Sequence, residues 1–197
     1  MSDIDSAGNR LILFHQTATK AVADKEPTML DRGMPPTQTA PAISAEVFRT
    51  VLGHLPTGVT IVTAYGETGP VGMAMNSVTS VSLDPPLILV CPARSSSTWP
   101  DLRKSGRFCV NVMADHHEQT CRQFAGRMAD RFRDVSWHRR VGGPGIDDAV
   151  AWIDVQIEEE HDAGDHTIVV ARVLDIEART DSAPLVFFQG KYGRFAA

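Results

Sequence analysis

The sequence is short of cysteine and has no long hydrophobic run. Only 3 of its 197 residues are cysteine. Their odd number and scattered positions argue against a disulfide framework and favour a reducing cytoplasm. The longest apolar candidate, residues 86–92, falls well short of the roughly 18 residues that a membrane span needs. The chain does not open on a basic segment followed by an apolar stretch, so we expect neither a secretory signal nor a membrane anchor.

The chain also lacks an excess of positive charge and the common nucleotide-binding fingerprints. Its 19 Lys and Arg against 24 Asp and Glu give a net charge of −5. This balance argues against nucleic acid as a partner, because a phosphate backbone requires a basic surface. Neither G-x-G-x-x-G nor a P-loop is present, and G-x-S-x-G is absent as well. A nucleotide would therefore have to bind without a Rossmann domain.

Composition divides the chain into two parts. Residues 1–43 contain several prolines, mixed charges and little apolar periodicity, which predicts a flexible leader. The folded domain is predicted over residues 44–197. It opens on a helix that Ser44 can cap, with an apolar stripe that includes Phe48 and Val51.

Beyond this helix, β-type segments dominate. Two further short helices are predicted, one opened by a capping-box spacing at Thr98 and Asp101 and one opened at Asp115 and Glu118. Short turns join most strands, and the helices are too few to cross over every pair, so we predict a mainly β, antiparallel barrel with peripheral helices. The predicted strands cover residues 57–64, 70–78, 87–91, 107–113, 149–161, 166–178 and 185–189.

One hairpin turn could hold a metal ion. His161, Asp162, Asp165 and His166 crowd this turn, and histidine together with carboxylate suits iron or zinc. The competing interpretation is a solvated turn that carries one functional or structural histidine.

Two clusters of hydroxyl and amide side chains are more informative. MAMNSVTSVS covers residues 73–82, just before a Pro-Pro bend, and RSSST covers residues 94–98 at the start of a predicted helix. Hydroxyls and backbone N–H groups at a helix start can hold a phosphate. Together the clusters predict a pocket of uncharged donors for a phosphorylated aromatic cofactor.

At these residues the sequence resembles the short-chain NAD(P)H:flavin reductase family, which has the FMN-binding split-barrel fold. The resemblance covers almost all of residues 44–195, and its motifs occur in order. The matching segments are FRTVLGHLPTGVTIVTA (48–64), GMAMNSVTSVSLDPPLILVC (72–91), RSSSTWPDLRKSGRFCVNVM (94–113), CRQFAG (121–126), GDHTIVVARV (164–173) and LVFFQGKYGRF (185–195).

The resemblance implies a mainly β, antiparallel split barrel and an NAD(P)H:flavin oxidoreductase. The expected cofactors are FMN or FAD, with NADH or NADPH as hydride donor. Such a protein is expected to be a cytoplasmic homodimer with the flavin near the subunit interface. It would supply reduced flavin to a partner monooxygenase.

The resemblance also assigns roles by position. His166 would face the nicotinamide and is the expected catalytic residue, while residues 95–97 would receive the phosphate side of the flavin. Met75 departs from the pattern, because many relatives carry a small or polar residue there, and its bulk would alter the pocket. The cofactor-binding residues implied are Pro56, Thr57, Gly58, Val59, Met75, Asn76, Ser77, Ser80, Val81, Ser82, Ser95, Ser96, Ser97, Phe124, Ala125, Gly126, His166, Tyr192 and Arg194.

The expected mechanism depends on holding two rings face to face at roughly 3–3.5 Å. The hydride transfer takes place between the two cofactors. Backbone N–H groups near Asn76 and Ser77 would stabilise negative charge on the reduced flavin. His166 is expected to orient the nicotinamide by hydrogen bonding rather than to act as an obligatory base.

Three alternatives remain at this point. The first is a flavin-binding protein without reductase activity. The second is a flavin oxidase of the pyridoxamine-phosphate type, which would need further basic residues for a second phosphate; the arginines in residues 127–140 are the available candidates. The third is a non-haem metal protein that uses the turn at His161 and His166.

Overall fold

A computed structural model describes residues 42–128, 130–179 and 181–195. The leader predicted over residues 1–43 lies almost entirely outside the described residues. Within the described part, no helix combines the length and the apolar character needed to cross a membrane.

The described residues form twelve strands and three α-helices, which confirms a mainly β protein. The helices are α1 (Ala45–Leu52), α2 (Trp99–Lys104) and α3 (Glu118–Ala125), and a 3-10 turn at Asp115–His117 precedes α3. The strands are β1 Thr57–Gly58, β2 Thr60–Tyr65, β3 Pro70–Met75, β4 Val78–Leu83, β5 Pro86–Val90, β6 Arg107–Val112, β7 Trp137–Arg139, β8 Pro144–Ile146, β9 Ala151–Ala163, β10 His166–Ala178, β11 Leu185–Phe188 and β12 Lys191–Arg194.

The main sheet contains seven strands in the order β3-β2-β6-β9-β10-β5-β4, and all of its pairs are antiparallel. Its two edge strands, β3 and β4, are consecutive in the chain and are joined only by Asn76 and Ser77. Three residue steps reach about 10 Å at most, so the sheet must curl until its edges approach each other at this corner. The result is a barrel whose sheet stays open, as expected for a split barrel.

A second sheet, in the order β1-β11-β12, carries the C-terminal hairpin. A backbone hydrogen bond attaches this sheet to the main sheet: the Leu185 N–H of β11 donates to the carbonyl of Met113, which follows β6, at 2.8 Å. The second sheet therefore sits against the end of the main sheet where β2 and β6 meet.

Strand β2 is buried along almost its whole length because it has a hydrophobic cluster on each face. Val62 packs inside the barrel with residues such as Val110 and Val155. Ile61 points the other way, into a cluster that includes Phe124 of α3 and Leu185 of β11. Alternation along a strand sends neighbours to opposite faces, so a continuous β-branched run suits a strand covered on both sides.

The structure corrects the predicted strand over residues 70–78. Strand β3 ends at Met75, and Val78–Leu83 forms the separate edge strand β4, a segment predicted only as part of a polar cluster. Three of its six residues are apolar, but Val81 is the extra residue of a β-bulge, so Val81 and Leu83 do not alternate in step with Val78. Three more short strands, β7, β8 and β12, were not predicted either.

The capping box predicted at Thr98 is also wrong. The Thr98 side chain makes no capping hydrogen bond, and the hydroxyl that caps α2 is that of Ser96, which accepts from the Trp99 N–H at 3.1 Å. The Thr98 hydroxyl instead contacts Arg131. A second cap two residues upstream satisfies the same helix end, because any correctly placed hydroxyl can accept these N–H groups.

Candidate functional site

A small cavity of about 190 Å³ lies where the main sheet meets the C-terminal hairpin. It is framed by apolar and aromatic side chains, with a single amide at its rim. The lining residues are Val59, Ala74, Met75, Asn76, Phe187 and Tyr192. Four of these six, all except Ala74 and Phe187, were singled out from the sequence.

The corner beside this cavity is held from both sides. The buried Thr60 hydroxyl donates to the Met75 carbonyl at 2.6 Å, and the Ser77 hydroxyl donates to the Cys91 carbonyl at 3.0 Å. Asn76, between them, is exposed. The corner therefore presents the Asn76 amide on a fixed backbone, while the Ser77 hydroxyl is already used by the fold.

A larger cleft of about 550 Å³ lies at the opposite end of β3. Hydroxyls from the segment before α2, both ends of a loop after α3, and the first residues of β3 form its walls. The lining residues are Pro70, Val71, Gly72, Ser95, Ser97, Thr98, Asp101, Arg127, Met128, Asp130, Arg131 and Phe132.

The three predicted phosphate-binding serines divide between two tasks. Ser95 and Ser97 line the larger cleft. Ser96 caps α2 and contacts the Met73 sulfur at 3.6 Å. Two of the three hydroxyls therefore face a space that a ligand could enter.

Arg131 joins the walls of the larger cleft. Its guanidinium donates to the Gly126 carbonyl at 2.9 and 3.1 Å, to the Gly72 carbonyl at 3.0 Å, and to the Thr98 hydroxyl. All of these acceptors are neutral, so none of these bonds neutralises the guanidinium charge, although Asp101 and Asp130 also line the cleft. Arg131 was not predicted as a flavin-binding residue, because no motif surrounds it; the several arginines within residues 127–140 were the available signal.

His166 lies at the tip of the long β9–β10 hairpin, where Gly164 adopts a φ of +64°. Its Nδ1 is 2.7 Å from Asp165 Oδ1. A carboxylate only accepts hydrogen bonds, so the proton of this bond belongs to Nδ1, and Nε2 is left for a ligand. The hydrogen bond to His166 holds the pKa of Asp165 below its usual value.

The hairpin tip is tied to the segment before α2. Ala93 and His166 form a β-bridge, and the Arg94 N–H donates to the Asp165 carbonyl at 2.9 Å. His166 and the segment that leads to Ser95 and Ser97 are therefore held side by side, although they are far apart in sequence.

The four residues of the alternative metal site have other partners. His161 Nε2 lies 3.2 Å from Glu159, and Asp162 lies 3.5 Å from Arg94. Among the residues that the structure describes, no three His, Cys, Asp or Glu side chains converge as a metal would require.

The segment before β2 borders the small cavity only through Val59. Pro56 and Gly58 are exposed, and Val59 is buried against the cavity. The Thr57 hydroxyl is buried and has no hydrogen-bond partner among the described residues. An unpartnered buried hydroxyl is costly.

The remaining predicted site residues occupy three places. Ser80, Val81 and Ser82 lie on the edge strand β4, where Val81 is the extra residue of a β-bulge between two residues that pair with β5. Phe124 is only 1% exposed and belongs to the core, while Ala125 beside it is exposed. The Gly126 carbonyl accepts a hydrogen bond from Arg131, which lines the larger cleft. Arg194 Nε lies 3.6 Å from Asp115 Oδ2.

Comparisons with known proteins agree with this architecture. Residues 52–196 match the model of the flavin reductase like domain. A flavin reductase of Pseudomonas putida is 43% identical over 158 residues, which cover 79% of this chain and 93% of that protein. The reductase subunit HsaB of a flavin-dependent monooxygenase from Rhodococcus jostii is 41% identical and is covered over 79% of its length, against 78% of this chain.

A solved structure adds the fold. The NADH:FAD oxidoreductase SgcE6 of Streptomyces globisporus, in complex with NAD and FAD fragments, superposes with a TM-score of 0.73 at 37% identity, and the match covers 77% of this chain and 92% of that one. Sequence, family model and fold therefore agree over the same region, and the chain belongs to the flavin reductase-like family.

Proposed function

We propose that this protein is an NADH:flavin oxidoreductase that supplies reduced flavin to a partner monooxygenase. The observation that carries the proposal is the small cavity at the β3–β4 corner together with the larger cleft at the other end of the same edge strand, which is lined by arginines, hydroxyls and two carboxylates. Membership of the flavin reductase-like family supports the same activity.

The residues present fit a flavin nucleotide. A flavin has a planar ring with polar edges and a phosphate, and the chain offers apolar walls, an exposed amide at Asn76, and hydroxyls beside Arg131. Ser95, Ser97 and Arg131 would hold the phosphate, because a guanidinium and hydroxyls are good phosphate donors. Val59, Met75 and Tyr192 would border the ring.

The bound flavin supplies the hydride acceptor. The residues of the protein bind the flavin, orient it toward the hydride donor and shield it from water. The Asn76 amide and the backbone N–H groups of the corner would donate to the polar edge of the ring. Because Thr60 and Ser77 fix this corner, these donors need no rearrangement during the reaction.

His166 would bind the nicotinamide donor. Asp165 fixes the Nδ1 proton, so the free Nε2 can accept a hydrogen bond from an amide group of the donor. Relatives named for NADH support NADH as that donor. Either FMN or FAD fits the proposal, since relatives are named for each of them.

The proposed assembly is a homodimer in the cytoplasm. Helix α1 buries none of its residues, and Phe48 and Val51 on its apolar stripe are 56% and 60% exposed. A second copy would cover this surface. Three unpaired cysteines support a reducing compartment. The name of the HsaB relative supports a monooxygenase as the acceptor of reduced flavin.

Anaerobic mixing with NADH and each flavin tests the proposal. The expected result is loss of the flavin absorbance and of NADH, with multiple turnovers when the flavin is in excess. A protein that binds flavin but leaves NADH unoxidised would instead support the flavin-binding alternative without reductase activity.

A further inference from the structure

One wall of the small cavity depends on an edge strand. Tyr192 lies on β12, at the edge of the three-stranded sheet, and within residues 42–128, 130–179 and 181–195 β11 is the only strand that pairs with it. Phe187, directly opposite on β11, meets the Tyr192 ring edge to face at a centroid distance of 5.4 Å. A further contact on this ring comes from outside the sheet.

Such a contact comes from α3. The Arg122 guanidinium lies over the Tyr192 ring, 4.9 Å from its centroid. The same guanidinium donates from Nε at 3.0 Å and from Nη2 at 2.8 Å to one carboxylate oxygen of Glu118. The Glu118 side chain, one helical turn earlier, thus holds the cation in place above the ring.

We propose that Arg122 is a positioning residue: held by Glu118, it keeps the Tyr192 ring in place as one wall of the small cavity and thereby sets the affinity for a planar flavin ring. This inference rests on the proposed function, since it assigns the small cavity to the flavin ring. Arg122 is absent from the cavity lining and acts through Tyr192.

The charge environment of Tyr192 provides a readout that does not require catalysis. Burial raises the pKa of the Tyr192 phenol, and the nearby Arg122 charge opposes this rise. Loss of the guanidinium should therefore raise the pKa of Tyr192 further. The chain has only two tyrosines, so labelling the tyrosine Cζ carbon gives two NMR signals, which Tyr192→Phe assigns.

The second tyrosine supplies a matched control. Arg139 lies over the Tyr65 ring at 5.2 Å, and neither residue lines the small cavity. Arg139→Met removes an equivalent cation from a ring elsewhere in the fold. It should alter the Tyr65 signal and leave the Tyr192 signal and flavin binding unchanged.

The experiment compares Arg122→Met, Arg122→Lys and Arg139→Met by titration of FMN and FAD fluorescence without NADH. Arg122→Met should raise the flavin dissociation constant about two- to fivefold, as expected for one cation–π contact. It should also move the Tyr192 titration to higher pH. Arg122→Lys should restore part of both effects. In the Tyr192→Leu background, Arg122→Met should add nothing further.

Two results would overturn the inference. One is an unchanged dissociation constant in Arg122→Met, and the other is an equal increase in Arg122→Met and Arg139→Met. Failure of the proposed function looks different, because wild-type protein would then fail to oxidise NADH with either flavin. A wild-type protein that turns over normally, beside an Arg122→Met variant with unchanged flavin affinity, would overturn only the positioning role.

Discussion

Individual polar side chains of the site owe their directions to bonds with the backbone. Ser96 is bound to the start of α2, so its neighbours Ser95 and Ser97 turn toward the larger cleft. Arg131 is fixed by the Gly72 and Gly126 carbonyls. Groups held in this way lose little further freedom when a ligand binds, which favours affinity.

His166 is the residue for which a functional change is most clearly expected. His166→Ala removes the free Nε2 while the hairpin backbone stays paired with Ala93. We expect the KM for NADH to rise about tenfold, which corresponds to one lost hydrogen bond. The dissociation constant for flavin should change less than twofold. Steady-state kinetics and a flavin titration measure the two effects separately.

His161→Ala is the matched control for this prediction. His161 lies on β9 of the same hairpin and contacts Glu159. Its replacement therefore removes an imidazole from the hairpin while Nε2 of His166 stays in place. Equal losses of NADH turnover and flavin binding in His166→Ala, or no loss of either, would contradict the role assigned to His166.

At the scale of secondary structure, the two-residue corner between β3 and β4 determines the geometry of the small cavity. It brings the two edges of the main sheet together and sets Asn76 at the rim of the small cavity. Thr60 holds one side of this corner from the neighbouring strand β2, at a position only 6% exposed. The position of Asn76 therefore depends on a residue that does not line the small cavity.

Thr60→Val tests this dependence, since valine keeps the shape of threonine and removes the hydroxyl. The Met75 carbonyl loses a hydrogen bond, so we expect a loss of about 1–2 kcal/mol in the free energy of unfolding. Flavin affinity should fall several-fold as the corner loosens. Thr60→Ser, which keeps the hydroxyl, should retain the affinity. If both variants bind flavin like the wild type, Thr60 only supports the fold. Denaturant melts and flavin titrations give both quantities.

The elements differ in how far the sequence could predict them. β2, β5, β9 and β10 carry β-branched runs between turn residues, and all four were predicted within a few residues. β4 was missed because only three of its six residues are apolar and a bulge at Val81 breaks their alternation. β7 and β8 are three residues each, too short for a periodic pattern, so neither strand was predicted.

The candidate site residues also divide into those that a local sequence pattern reveals and those that only the fold brings together. Asn76 and the serines at 95–97 belong to polar clusters that composition alone makes visible. The pairing of the β9–β10 hairpin tip with residues 93–94 joins segments about 70 residues apart, and no local pattern encodes it. Arg131 and Arg122 act through contacts across the fold, which a single sequence does not reveal.

At the scale of the whole molecule, apolar surface remains unburied at the start of the domain. Val47 and Leu52 of α1 are 55% and 46% exposed, in addition to Phe48 and Val51. Leu55, just after the helix, is 63% exposed. An amphipathic helix with its apolar face in water is unfavourable, because most helical stability comes from packing that face. We expect a second copy of the chain to cover it.

Phe48→Asp tests the dimer by placing a charge on this apolar stripe. Burying an unpaired carboxylate in an interface is costly, so light scattering should show a mass near that of the dimer for wild type and near that of the monomer for the variant. NADH oxidation should fall in parallel. Thr50→Asp adds the same charge to the same helix away from the stripe and should leave mass and activity unchanged. An active wild-type monomer would show that one chain completes the site alone.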